Sequence, residues 1–159
     1  MTAARLAELI DAHAAALTLL ARTYCAQPED AVQAAFGKLV RQRREPDDPA
    51  AWLFRVVRNA ALDVAKSERR RSRREATVAR PEAWFAEASV DGIDVADAVD
   101  ALGALPEAER DAIVARLWGG LTLEQVADAA GCSTSTAQRR YEAGVARLRE
   151  RFGVRWPTS

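Results

Sequence analysis

Apolar residues in the first half of the chain recur at helical spacing, and they do so in three separate runs. Leu6, Ile10, His13, Leu17, Leu20 and Tyr24 follow one another at steps of three and four, enough for a helix of about six turns. Gln27-Pro28 interrupts it, and a second stripe sets Val32, Phe36, Leu39 and Val40 inward. The turn REPDDP leads to a third helix. There Asp48 can cap the free N–H groups, Pro49 suits the first helical position, and Leu53, Val56, Val57, Ala60 and Val64 share one side. Packed together, the three stripes make a bundle of roughly 75 residues, enough for a small core of its own.

The pattern loosens from Thr77, where RPEAWFAEASVDGID supplies Pro81, Gly92 and a run of acids and reads as a linker. Trp84 and Phe85 are out of place in a solvated linker and are expected to pack on one of the flanking modules. Asp91, Asp94, Asp97 and Asp100 lack the Gly and closing Glu of a calcium loop, so they read as a solvated acidic helix start. Helical spacing resumes near Val95, with Val99, Leu102 and Leu105 apolar. Pro106 then opens a helix whose inward set is Ile113, Val114, Leu117 and Trp118 and which Gly119-Gly120 ends. Thr122 and Gln125 form a capping box at the start of a short helix, Leu123 to Ala130, Gly131 supplies a turn, and Ser133 caps a last long helix. Ala137, Tyr141, Gly144, Val145, Leu148 and Phe152 face inward along it. Helix, glycine turn and capped helix together are the helix-turn-helix signature. The expectation is an all-α chain of two small helical domains, a bundle over residues 1–76 and a helix-turn-helix over 95–159, joined by an acidic linker at 77–94.

Composition adds little until it is divided. The chain has 159 residues, 49% of them apolar and 6% aromatic, which suits a helical protein, and 23 basic residues balance 23 acidic ones. Residues 1–80 hold 15 Lys/Arg against 10 Asp/Glu, residues 81–112 hold 1 against 9, and residues 113–159 hold 7 against 4. Two basic modules flank an acidic stretch, so the neutral total conceals a pattern suited to nucleic acid. Cys25 and Cys132 have no CxxC spacing and read as small apolar residues in a reducing cytoplasm. The apolar segment Ala14–Ala21 is too short to span a membrane, and no export signal is expected. His13 is the single histidine and stands on an apolar stripe without a nucleophile at catalytic spacing. No phosphate loop or metal-spaced set is present in the sequence, so neither an enzyme nor a cofactor is expected.

The polar side of the third helix carries the chemistry. Arg55, Asn59, Asp63, Lys66, Arg70 and Arg73 fall at steps of three or four, a single stripe along one face that passes into the block RRRSRR. Cations on such a stripe suit phosphates, and the one neutral amide among them, Asn59, suits a base edge. Trp52 and Phe54 back the stripe from the core side.

These residues also carry a resemblance. WLFRVVRNAALDVAKSERRR resembles the second conserved region of extracytoplasmic-function (ECF) sigma factors of bacterial RNA polymerase, a helix that in that family helps melt and read the minus-ten promoter element. The resemblance assigns that role to Arg55, Arg58, Asn59, Asp63 and Lys66; the further cations Arg69, Arg70 and Arg73 are too numerous and too close for base reading and suit phosphates. PEDAVQAAF is similar to the segment by which sigma factors dock on the clamp helices of the polymerase core, which implies Glu29, Asp30 and Gln33 as contacts and Phe36 as packing. LPEAERDAIVARLWGGLTLEQVADAAGCSTSTAQRR, through to LRERF, resembles the fourth conserved region, which binds the minus-thirty-five element. Its recognition-helix residues would be Ser133, Ser135, Thr136, Gln138, Arg139 and Arg140. There is one departure: where the family shows basic residues, this chain has Gln138, Glu142, Ala143, Val145 and Ala146. The resemblance implies a promoter-recognition subunit in the cytoplasm, monomeric off polymerase, with RNA polymerase core, promoter DNA and an anti-sigma factor as candidate partners. The competing expectation is a stand-alone helix-turn-helix regulator that never binds core polymerase and dimerises on paired half-sites.

Overall fold

A computed structural model describes residues 1–74 and 95–153, and every element among them is helical. In chain order these are α1 (Ala3–Arg22), α2 (Pro28–Val40), α3 (Pro49–Arg74), α4 (Val95–Gly103), α5 (Glu107–Ile113), α6 (Leu123–Ala130) and α7 (Thr134–Phe152). The linker stretch, with Trp84, Phe85, Asp91 and Asp94, lies outside the described residues.

The signals that start and stop these helices act as their chemistry dictates. Asp48 Oδ1 accepts from Ala51 N–H at 3.0 Å and opens α3. Thr122 and Gln125 form both halves of the capping box on α6. Gly131 adopts φ 65°, ψ 38°, and Cys132 N–H returns to Ala127 O at 3.0 Å. That left-handed turn closes α6 and costs a side-chain-bearing residue strain that glycine does not pay. Ser133 then caps α7 through Thr136 N–H. Between α5 and α6 the helix widens into a π turn, Val114–Trp118, with Gly119 N–H bonded to Val114 O five residues back.

Helices α1, α2 and α3 pack pairwise, α5, α6 and α7 do the same, and the two groups share one continuous apolar cluster. The π turn lies against α1, and α6 lies against α3. Much of the close packing is made by alanine: Ala21, Ala35, Ala51 and Ala61 have no exposed surface. This corrects the stripes on α1 and α2. Ile10 and Val40 were expected inward but are exposed, at 39% and 52%, while Leu9 and Ala16 are buried. Val40 is the last residue of α2 and Ile10 lies one step round α1 from the buried Leu9, and small residues set the line of closest approach that the larger side chains do not.

Candidate nucleic-acid interface and the seam beneath it

Along α3 the polar stripe is exposed throughout. Arg55, Asn59, Asp63, Lys66, Arg69, Arg70 and Arg73 are exposed, on the side opposite the buried Leu53, Val57, Ala61 and Ala65. Trp52 is half-buried and Phe54 buried, so both aromatics belong to the core. Arg58 departs from the sequence expectation, because it turns toward the second module. Its Nε lies 2.5 Å from Asp111 Oδ2 and its terminal nitrogen 3.5 Å from Glu107 Oε2. The reason is rotational: one step back from Asn59, Arg58 faces α5 and the ring of Tyr24, 6.0 Å from its centroid.

Asp111 is the centre of this seam. Tyr24 Oη donates to Asp111 Oδ1 at 2.6 Å while Arg58 occupies the other oxygen, and the guanidinium of the buried Arg110 lies 4.2 Å from the Tyr24 ring centroid. Burial pushes the Asp111 carboxyl above its ordinary value, against the pull of Tyr24 and Arg58. Burial, then Asp111, pushes the Tyr24 phenol up to about 12. For Arg58 burial acts against the charged form, but Asp111 outweighs it and the net shift is upward. Both short contacts to Asp111 come from donors, which is the geometry of an ionised carboxylate accepting two charge-assisted hydrogen bonds.

A second polar tie runs from Gln125 Nε2 to Asp48 Oδ2, 2.9 Å. Gln125 Oε1 meanwhile accepts from Thr122 N–H at 2.9 Å, so one amide caps α6 and holds it to the start of α3. Between these ties the contact is apolar. Gly119 meets Phe54 so closely that a Cβ there would stand 2.4 Å from the ring, and His13 meets the same ring edge-on at 6.3 Å between centroids. Burial lowers the His13 imidazole below its ordinary value, opposed by Asp48 and by a backbone hydrogen bond at Gly119.

Sequence reasoning did not find Tyr24, Glu107, Arg110 or Asp111 as a group. One signal was available: Arg110 stands in the inward register of Ile113 and Val114, where a charge demands partners.

The remaining candidates are surface residues. Glu29, Asp30 and Gln33 are exposed on the outer side of α2, whose inner side is Pro28, Ala31, Val32 and Ala35. Phe36 is half-buried, and Glu29 pairs with Arg22 at 3.4 Å. On α7, Ser135, Gln138, Arg139 and Glu142 form one exposed face beside the cap Ser133, while Thr136 and Arg140 are half-buried. That face is bonded to itself. Thr136 Oγ1 accepts from Ser133 at 2.9 Å and from Arg139 at 3.2 Å, and Gln138 Nε2 donates to Glu142 Oε1 at 2.9 Å. Among the described residues no group of three or more His, Cys, Asp or Glu is placed to hold a metal ion, and no helix is long and apolar enough to cross a membrane. Both cysteines are free thiols, Cys25 buried and Cys132 half-buried.

Known proteins share this arrangement. Residues 9–72 match the family described as Sigma-70 region 2, and residues 101–150 match Sigma-70, region 4. The ECF RNA polymerase sigma factor SigK of Mycobacterium sp. (strain KMS) is 29% identical over 111 residues, 67% of this chain and 58% of that protein. SigK of Mycobacterium sp. (strain JLS) gives the same figures. The chain therefore spans little more than half the length of these curated relatives. Its fold is that of the sigma factor RpoE from Bartonella quintana, solved in complex with the anti-sigma factor NepR, with TM-score 0.76, 23% identity and 96% of each chain covered. CnrH, solved with the cytosolic domain of CnrY, superposes with TM-score 0.63 at 22% identity over 93% of this chain and 87% of that one. With both sigma regions present in order, and each on the helices that carry its exposed polar face, the chain belongs to the sigma-70 family of RNA polymerase sigma factors, in its ECF branch.

Proposed function

We propose that this chain directs RNA polymerase core to specific promoters and assists their opening, as a dissociable cytoplasmic subunit that leaves the chemistry to the polymerase. The observation that carries the reading is the ordered pair of exposed polar helix faces, one on α3 and one on α7, each borne by a matched sigma region. On α3, Lys66, Arg69, Arg70 and Arg73 hold phosphates and Asn59 senses a base in the opened minus-ten element, flanked by Arg55 and Asp63. Arg58 joins that face only when its tie to Asp111 is released. On α7 the minus-thirty-five element is read from Ser133, Ser135, Thr136, Gln138, Arg139 and Arg140, in the position where a helix-turn-helix meets the major groove. Glu29, Asp30 and Gln33 dock on the core enzyme. The solved relatives were captured with an anti-sigma factor and with a cytosolic domain of CnrY, and by that likeness an anti-sigma protein is proposed as a partner here. The residue-level domain limits, 1–76 and 95–159, are proposed on the same footing.

Co-purification with core polymerase tests this reading against a stand-alone regulator. The wild-type chain is expected to be retained and Asp30→Arg to be lost while keeping its melting temperature, since an exposed charge changes stability by about half a kcal/mol. Retention of neither protein, with dimers forming on paired half-sites, would favour the stand-alone regulator. In the retained complex, Asn59→Ala is expected to bind duplex promoter normally but to show weak permanganate reactivity at unpaired thymines. Normal opening by that variant removes Asn59 from the site.

A further inference from the structure

The acidic residue on the recognition face is the feature that promoter binding does not by itself account for. Glu142 is exposed, one turn beyond Gln138 and on the same side as Ser135 and Arg139. A carboxylate there works against the neighbouring phosphates of any duplex laid on α7. An ordinary i,i+4 helix pair stabilises its helix only slightly, and any exposed polar pair could supply that.

The hydrogen bond between the two side chains supplies the missing role. A glutamine amide presents a carbonyl oxygen with two lone pairs and an NH2 with two donors, and on an exposed helix face the two ends exchange freely by rotation about the last bond. An ionised carboxylate can only accept. With Glu142 Oε1 at 2.9 Å from Gln138 Nε2, the amide has one permitted sense, because the flipped sense would set its carbonyl oxygen against a carboxylate oxygen. In the permitted sense one N–H remains free beside one accepting oxygen. That donor-acceptor pair is the complement of adenine, whose major-groove edge offers N7 as acceptor and the N6 amino group as donor. Guanine offers two acceptors, N7 and O6, and would leave its O6 against the Gln138 oxygen.

We infer that Glu142 is a specificity-determining positioning residue: it locks the Gln138 amide in the sense that reads adenine and rejects guanine at one position of the minus-thirty-five element. The inference rests on the reading of α7 proposed above and adds to it a residue, a base and a mechanism. It also gives the departure from a basic surface a function, since charge that would tighten grip on all sequences has been exchanged for discrimination among them.

The test assembles the full chain with core polymerase and selects bound promoters from a pool randomised through the minus-thirty-five element. Wild type, Gln138→Ala, Glu142→Ala, Glu142→Gln and the double alanine variant are compared. Wild type is expected to enrich adenine over guanine by about tenfold at one position. Gln138→Ala and Glu142→Ala are each expected to lose that preference at the same position, and the double variant to lose no more than either. Glu142→Gln keeps the size but offers an amide that can donate as well as accept, so both senses of Gln138 are allowed again and the preference is expected to fall as in Glu142→Ala, with a tighter hold on unrelated duplex in both. Base preference, read apart from hold on unrelated duplex, separates positioning from charge and from helix stability, which moves no base preference. An unchanged adenine preference in Glu142→Ala, losses at two different positions, or a Gln138-dependent base other than adenine overturns the inference and leaves the promoter reading of α7 standing. Absence of any preference in the wild-type complex overturns both.

Discussion

On the proposed reading, helices α3 and α7 both offer cations to DNA, and they hold them in opposite ways. The exposed end of α3 carries Arg69, Arg70, Arg71, Arg73 and Arg74 on a helix whose other half is clamped by Tyr24 and Asp111 at Arg58 and by Gly119 at Phe54. On α7 the polar groups are fewer, of mixed charge, and bonded to one another from Ser133 to Glu142. A crowd of exposed arginines follows a phosphate backbone of any sequence and contributes affinity, whereas side chains already fixed in direction lose little freedom on meeting a base and contribute discrimination. The rigid anchoring on α3 lies in its buried half, and on α7 it lies in the face proposed to read the base.

The comparison breaks first at the clamp. Gly119→Ala would place a Cβ 2.4 Å from the Phe54 ring and 2.5 Å from Ala115 O, so either the turn or the ring must move. A stability loss of about 1–3 kcal/mol is expected from such overpacking, seen as a melting temperature lower by roughly 3–10 °C in circular dichroism. An unchanged melt would mean that α3 is not clamped there. A smaller effect sharpens the contrast in DNA binding. Arg70→Ala with Arg73→Ala is expected to remove about two units from the slope of log affinity against log salt, equally for promoter and unrelated duplex. A loss confined to one sequence would give these arginines the base-reading character assigned here to α7. The smallest effect concerns Tyr24. Tyr24→Phe removes the hydrogen bond to Asp111 and is expected to cost about 1 kcal/mol. Because the folded state raises the phenol from 10.0 to about 12, it holds that proton more tightly than the unfolded chain does. The contribution is therefore complete below pH 10 and lost as pH rises toward 12. Phenolate absorbance checks it: the step that Tyr24→Phe abolishes should lie near 12, and a step near 10 would mean that the phenol is not buried against Asp111.

Local chemistry was readable in the sequence, and distant pairing was not. Asp48, Thr122 with Gln125, Gly131 and Ser133 each act within a few residues of themselves, and each marks the boundary that its side chain or backbone implies. The exposed faces of α2, α3 and α7 followed from the same periodicity. The seam did not, because Tyr24–Asp111 joins residues 87 apart, Asp48–Gln125 residues 77 apart and Arg58–Asp111 residues 53 apart. No periodicity of one helix says which of its flanks a second module will cover, so nothing in α3 itself set Arg58, which the resemblance groups with Arg55 and Asn59, against α5. The π turn escaped for another reason: Gly119-Gly120 announces that the helix stops, but nothing in Val114–Trp118 announces that it widens first. The alanines were silent as well, since a pattern weighted by large side chains overlooks the residues that let two helices come closest.

Gln125 carries one last consequence, which belongs to thermodynamic linkage rather than to structure. A single amide completes the α6 capping box and ties α6 to Asp48, so any partner that needs α3 and α6 apart works against an equilibrium set by that contact and its neighbours. Its apparent dissociation constant is the intrinsic one divided by the fraction of molecules already separated. Exchange of Asp48 for asparagine would keep the cap on α3 and soften the tie. Such a change would tighten the binding of that partner from a residue the partner never touches.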